Sequence, residues 1–127
     1  MADHNLINAG IDSKAKANGI GPGMPFAYSL LNKFPNFGVV GLVPCAASAT
    51  QISQWAQGTK LYNRLVNRTK VAMQDGEKIE ALLWYQGESD TTTESDANAY
   101  KGSLQKFITD LRTDLQLPTL LIIEVYI

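Results

Sequence analysis

The 127-residue sequence contains one cysteine and one histidine. A lone cysteine, Cys45, excludes an intramolecular disulfide and a cysteine-built zinc site. Any serine–histidine pair would have to recruit His4 from a polar N-terminus. Charge of one sign is equally scarce, since 11 Lys+Arg against 12 Asp+Glu leave a net charge of −1. No basic footprint for nucleic acid exists, nor an electrostatic reason to bind an anionic membrane. The longest apolar stretch, residues 117–127, contains Glu124 and falls short of the roughly 20 residues that cross a bilayer. Met1-Ala2-Asp3-His4-Asn5 lacks the basic-then-apolar order of a signal peptide, so the cytoplasm is the default expectation. Asn67-Arg68-Thr69 matches the glycosylation pattern and is read, without a secretory signal, as coincidence. Internal repeats and low-complexity tracts are lacking.

What is present is an ordinary globular composition, 45% hydrophobic and 18% charged. It can offset chain entropy, and the length suits one domain over residues 1–127. After a loop-like start come the turn-rich Gly19-Ile20-Gly21-Pro22-Gly23 and a short helix with Pro25 in its first turn. Ala27, Leu30, Leu31 and Phe34 share a face of that helix, which Pro35 and Gly38 close. Val39-Val40-Gly41-Leu42-Val43 reads as a strand buried on both faces. A helix over about 61–73 buries Leu61, Leu65, Val66, Ala72 and Met73 and stops at Gly76. Residues 79–85 form a second strand. A long helix over about 96–116 buries Tyr100, Leu104, Phe107, Ile108, Leu111 and Leu115, with Thr93 and Asp96 in a capping-box arrangement. Its Glu94, Asp110 and Asp114 are expected on the solvated side, without chemistry. Residues 120–125 form a third strand. This alternation predicts an α/β fold with a parallel sheet, whose ligands bind beyond the carboxyl ends of the strands. Three strands and an uncovered edge predict an incomplete sheet.

Two segments sit at those carboxyl ends. The first, Trp84-Tyr85-Gln86-Gly87-Glu88-Ser89-Asp90, follows a strand. Gly87 permits a tight turn, Gln86 can donate an amide hydrogen to a developing oxyanion, and Glu88 can orient a histidine or move a proton. The plain alternative is a polar loop in which Ser89 and Asp90 begin a helix. Ser89 lacks the second glycine of a Gly-x-Ser-x-Gly elbow and has no base nearby in sequence. The second segment, residues 44–55, is small and polar, so a ligand can approach its amides; equally, Ile52 and Trp55 can simply plug the core. Cys45 reads as a small buried hydrophobe. The Gly19–Gly23 cluster follows no strand and is not a phosphate loop.

Taken in order, several blocks carry a resemblance. They are Gly21-Pro22-Gly23-Met24-Pro25-Phe26-Ala27, Gly41-Leu42-Val43-Pro44-Cys45-Ala46 with Thr50, Ile52 and Trp55, and Leu61-Tyr62-Asn63. Ala81-Leu82-Leu83-Trp84-Tyr85-Gln86-Gly87-Glu88-Ser89-Asp90, Tyr100-Lys101 and Asp110-Leu111-Arg112 complete the set. The chain resembles plant carbohydrate esterases related to sialate O-acetylesterase, in the SGNH (GDSL-type) hydrolase superfamily. The resemblance implies a three-layer α/β/α flavodoxin-like fold and hydrolysis of acetyl esters on carbohydrates through a serine acyl-enzyme, with no metal or cofactor. It places Gln86, Gly87 and Glu88 on the family's third catalytic block, without deciding which of Gln86, Glu88 and Ser89 holds which role. It places Ser48, Ala49 and Thr50 on the oxyanion and substrate loop, where the family usually has two glycines before the threonine. Side chains at 48 and 49 are expected to disturb an oxyanion donor, a loss of roughly 3 kcal/mol of transition-state stabilisation.

Two blocks have no match. The family's Gly-Gln-Ser-Asn nucleophile block and its Asp-x-x-His base block are not found, and His4 corresponds to no family position. Losing a triad serine or histidine alone can cost about a millionfold in turnover. The expectation is a fragment without hydrolysis of its own, or a catalytically dead module that binds acetylated carbohydrate or pairs with another chain to complete its sheet.

Overall fold

The computed structural model describes residues 21–125. The chain divides into two units, Met1–Ser48 and Ala49–Ile127. The described part of the first unit is built on α1, Gly23–Lys33, followed by a 3-10 turn, Pro35–Phe37. Pro22 precedes the helix with φ −65°, so its ring presets the helical backbone and its carbonyl accepts from Phe26 N at 3.1 Å. Ala27 is buried and Leu30 and Leu31 are half-buried, as the spacing predicts, whereas Phe34 is exposed. Gly38 takes φ +99°, a backbone only glycine adopts without strain, and turns the chain out of the 3-10 segment.

The strand expected at residues 39–43 is not formed. No ladder bonds engage it among the described residues, and Val39 is 99% exposed. Val40 is half-buried, and Leu42, though exposed, has Cδ1 3.4 Å from where a side chain on Gly23 would begin. The sequence pattern is that of a strand, but a strand forms only where a neighbour beside it can take its backbone hydrogen bonds.

The second unit holds a 3-10 turn, Ile52–Trp55, then α2 (Lys60–Gln74), β1 (Ala81–Trp84), a 3-10 turn Glu88–Asp90, α3 (Glu94–Asp114) and β2 (Leu121–Glu124). β1 and β2 pair in parallel, from Ala81 with Leu121 to Trp84 with Glu124, and α3 is the connection between them. The chain is thus an incomplete α/β fold, with three helices and a two-stranded parallel sheet among the described residues. Both strands are shorter than the apolar runs that encode them.

Thr59 caps α2, accepting from Tyr62 N and donating to Gln54 O at 2.7 Å. The buried stripe of α2 is Tyr62, Leu65, Val66 and Thr69; Leu61, Ala72 and Met73, expected inside, are only half-buried. Thr69 is admitted because its hydroxyl donates to Leu65 O at 2.9 Å within the helix. Gly76, φ +82°, closes α2 as predicted, its N–H reaching Met73 O. At the start of α3, Thr93 Oγ1 accepts from Asp96 N and donates to Asp96 Oδ2 at 2.7 Å. The shorter Asp side chain thus meets the cap hydroxyl, where a Glu would reach the backbone N–H. At the far end Gln116, φ +56°, reverses the chain, and Arg112 donates twice to Leu120 O, at 2.8 and 3.2 Å, steering the turn into β2.

The core is aromatic. Trp84, at the end of β1, sits edge-on to Trp55 with centroids 5.5 Å apart and against Phe107 at 4.7 Å, and Phe107 meets Tyr62 edge-on at 6.1 Å. Phe107 and Leu111 are each 1% exposed. Burial of such a side chain contributes about 1.5–3 kcal/mol. Asp114 is not the idle surface carboxylate expected. Tyr62 Oη donates to it at 2.6 Å and Gln57 Nε2 at 3.0 Å, joining α2 to α3. Burial first, and then the carboxylate beside it, push the Tyr62 phenol well above its usual range. The same phenol, with Gln57, holds the Asp114 carboxyl below its ordinary value.

Three outcomes follow from this packing. Because the folded value for Asp114 is depressed, its stabilising contribution is present above the unfolded value near ~3.9 and is lost as pH falls through the lower folded value. Tyr62→Phe should lower stability at neutral pH and flatten the acid-side decline below about pH 4, as measured by urea melts at several pH values. Ala49 takes φ +54°, where a Cβ costs roughly 1–2 kcal/mol. Ala49→Gly should therefore leave the thermal midpoint unchanged or raise it, against the loss of about 0.5–1 kcal/mol usual for an added glycine. Amides of residues 39–43 should exchange near the unfolded rate in a monomer; protection throughout that segment would show that it pairs after all.

Candidate active-site loops

β1 ends at Trp84, and the chain passes through Tyr85 into the loop 86–90 beyond the carboxyl end of the sheet. The segment 49–55 is tied to it by side chains. Ile52 N donates to both carboxylate oxygens of Asp90, at 3.1 and 3.0 Å. Gln51 Nε2 donates to Ser89 O at 3.3 Å. Gln86 Nε2 donates to Thr50 O at 2.7 Å and to Asp90 Oδ2 at 2.6 Å. Thr50 also accepts, through Oγ1, from the Trp55 indole at 3.0 Å. Ile52 and Trp55 are core plugs, which frees Thr50 and Gln51 to face the second loop.

The base of the loop is held by Tyr100. Its hydroxyl donates to Gln86 O at 2.8 Å and accepts from Trp84 Nε1 at 3.2 Å. Burial is the main cause that raises its phenol above the ordinary value. The Tyr100 ring lies 3.5 Å from where a Cβ on Gly87 would stand, and Gly87 takes φ +143°. Glycine is needed here for its backbone conformation, and the side it leaves open faces that ring. Gly87 O then accepts from Asp90 N at 3.0 Å, forming the turn that carries Glu88 and Ser89. Glu88 projects into solvent, while its carbonyl accepts from Thr91 Oγ1.

The structure therefore brings together Thr50, Gln86, Gly87 and Asp90, with Glu88 and Ser89 on the same turn. Ser48 and Ala49 form the exposed turn leading to Thr50. The Cβ of Ala49 does not keep the backbone from the left-handed φ that a glycine would favour. His4 lies outside the described residues, and among those residues no group of three His, Cys, Asp or Glu side chains could hold a metal ion. Cys45 is buried. No described helix is long and apolar enough to cross a membrane.

Two residues of the site were not legible as such. Asp90, 5% exposed, reads in sequence as a helix-start residue, yet it is the acceptor on which both loops converge. Tyr100 reads as one more apolar position of α3, yet its hydroxyl bridges strand and loop. The only hint was a carboxylate four residues after Gln86.

This geometry can be set beside known proteins. The family model for carbohydrate esterase, sialic acid-specific acetylesterase, matches residues 1–127. The chain is 44% identical over 125 residues to a probable carbohydrate esterase of Arabidopsis thaliana, At4g34215, covering 98% of this chain and 48% of that protein. The 1.6 Å X-ray structure of the Arabidopsis protein AT4G34215 superposes with a TM-score of 0.83 at 46% identity, over 89% of this chain and 47% of that one. The chain thus spans about half the length of the relatives it matches. On the whole-length family match and the level of identity, the chain belongs to the carbohydrate esterase, sialic acid-specific acetylesterase family.

Proposed function

We propose that the loops 48–50 and 86–88 are the oxyanion, substrate and acid side of a site that hydrolyses acetyl esters on carbohydrates. The carrying observation is the junction of Thr50, Gln86 and Asp90, which places both loops together beyond the carboxyl end of β1. Membership of a carbohydrate esterase family supports the substrate class. In a serine acyl-enzyme scheme this side stabilises the tetrahedral intermediate and orients the base; the attacking serine and its histidine come from blocks that these 127 residues do not supply. The chain by itself is accordingly a binding half without turnover.

A second reading is favoured by one observation. Residues 39–43 are apolar and form no ladder among the described residues, and the described sheet has only two strands. Both features fit a module that pairs with another chain to complete its sheet. Sedimentation velocity that shows a monomer at every concentration, with no association with a full-length relative, would remove its support.

The first reading is tested with the purified chain and an acetylated oligosaccharide. The expected result is no ester cleavage above buffer, with saturable shifts confined to residues 48–51 and 86–90. Glu88→Ala should weaken that binding by roughly 1 kcal/mol, about fivefold in Kd. Turnover that disappears in Glu88→Ala would overturn the claim of inactivity, and unshifted loops at saturating sugar would overturn the site.

A further inference from the structure

The net charge of −1 averages over an uneven distribution. Residues 13–74 carry 7 Lys+Arg and no Asp or Glu, whereas residues 75–127 carry 4 Lys+Arg and 10 Asp+Glu. In α2 the charged side chains are Lys60, Arg64, Arg68 and Lys70, and none is acidic. Lys60, Arg64 and Arg68 follow at intervals of four, on the face opposite the buried stripe of Tyr62, Leu65, Val66 and Thr69. Lys60 and Arg68 are exposed and Arg64 is half-buried, with exposed Asn63 and Asn67 beside them. Lys70 lies to the side and, after Tyr62 and Gln57, adds to what holds the Asp114 carboxyl below its ordinary value. As helix design this row is unfavourable. Like charges four apart repel, and Lys60 stands in the first turn, at the positive end of the helix dipole. Neither Lys60 nor Arg64 has an ion-pair partner among the described residues. Local rules broken without local compensation mark functional surfaces. The row also starts beside the candidate site. Thr59, the cap of α2, donates to Gln54 O at 2.7 Å, and the segment that holds Gln54 is tied to the loop 86–90 through Asp90.

We propose that the row Lys60, Arg64 and Arg68 on α2 binds the carboxylates of an acidic carbohydrate chain whose acetylated residue lies at the loops. The choice of a carbohydrate rests on the esterase reading above; the cationic row does not. Its cations stand about 6 Å apart along the helix axis, the scale of one sugar ring. The planar Arg fork pairs with a carboxylate through two parallel hydrogen bonds, and the Asn63 and Asn67 amides can serve sugar hydroxyls. A long nucleic acid is the poorer occupant, because the 10 acidic residues of 75–127 repel whatever phosphates extend past the row.

The probe is a tetramer of galacturonic acid without acetyl groups, titrated into the isotopically labelled chain and followed by nuclear magnetic resonance. Saturable shifts are expected at residues 60, 63, 64, 67 and 68, with an affinity that falls as salt is raised. The double variant Lys60→Gln, Arg64→Gln should bind roughly five- to tenfold more weakly, the factor that two exposed ion pairs supply. Its thermal midpoint should hold or rise, because a like-charge pair is relieved. Cations with a merely structural role would lower that midpoint and leave the affinity unchanged, which overturns the proposal. So would a failure to saturate, or equal binding of a neutral galactose tetramer. Tighter binding of an oligonucleotide of equal charge would assign the row to nucleic acid, and salt-sensitive self-association in sedimentation would assign it to a second copy; either result overturns the carbohydrate. The probe carries no ester, so its failure leaves the esterase reading to be decided by the shifts of residues 48–51 and 86–90 with a neutral acetylated oligosaccharide.

Discussion

The indole of Trp84 is the fixed point of residues 49–127. It closes β1, packs on Trp55 from the segment before α2 and on Phe107 from α3, and gives its one hydrogen to Tyr100. Each aromatic contact adds about 0.5–1.5 kcal/mol beyond area burial. Strand, helix and loop thus share one side chain, and the residue that follows two positions later inherits its placement. A smaller residue at 84 would leave Trp55, Phe107 and the Tyr100 hydroxyl without their common neighbour.

From that point the chemistry is a matter of reach. Tyr100 holds the main chain at Gln86, a left-handed Gly87 turns it, and Asp90 comes back under the turn to meet Ile52 N–H. The donors and acceptors in these contacts meet neighbours that are themselves tied to the aromatic core. Only Gln86 Oε1, among the buried side-chain atoms of the described residues, is left without a partner. A buried acceptor is costly unless something donates to it, which makes this atom the most informative one in the loop.

Helices and the sheet were readable because their signals are local. Caps at Thr59 and Thr93, the stop at Gly76 and the apolar spacing of α3 lie within a few residues of what they control. The strand at 39–43 was misread because pairing depends on a neighbour that no local pattern supplies. Tyr62 and Thr69 displaced Leu61 and Met73 from the α2 core for a similar reason: a phenol with an acceptor on α3, and a hydroxyl with one in its own helix, can be buried. Family blocks located the candidate loops. They did not show Asp90 as the tie between them, because burial of a carboxylate is set by tertiary packing, and the motif reads the same whether Asp90 faces solvent or the core.

The tie from Ile52 to Asp90 has a kinetic meaning. It joins residues 38 apart in sequence, and the loop it closes contains the whole of α2 and β1. Closing so long a loop brings an entropic cost before any contact rewards it, and that cost falls as the enclosed elements become ordered. The two loops therefore depend on the elements between them, and cannot persist as a local motif when that core is open. Order in the loops is in this sense a readout of the folded state of everything between them.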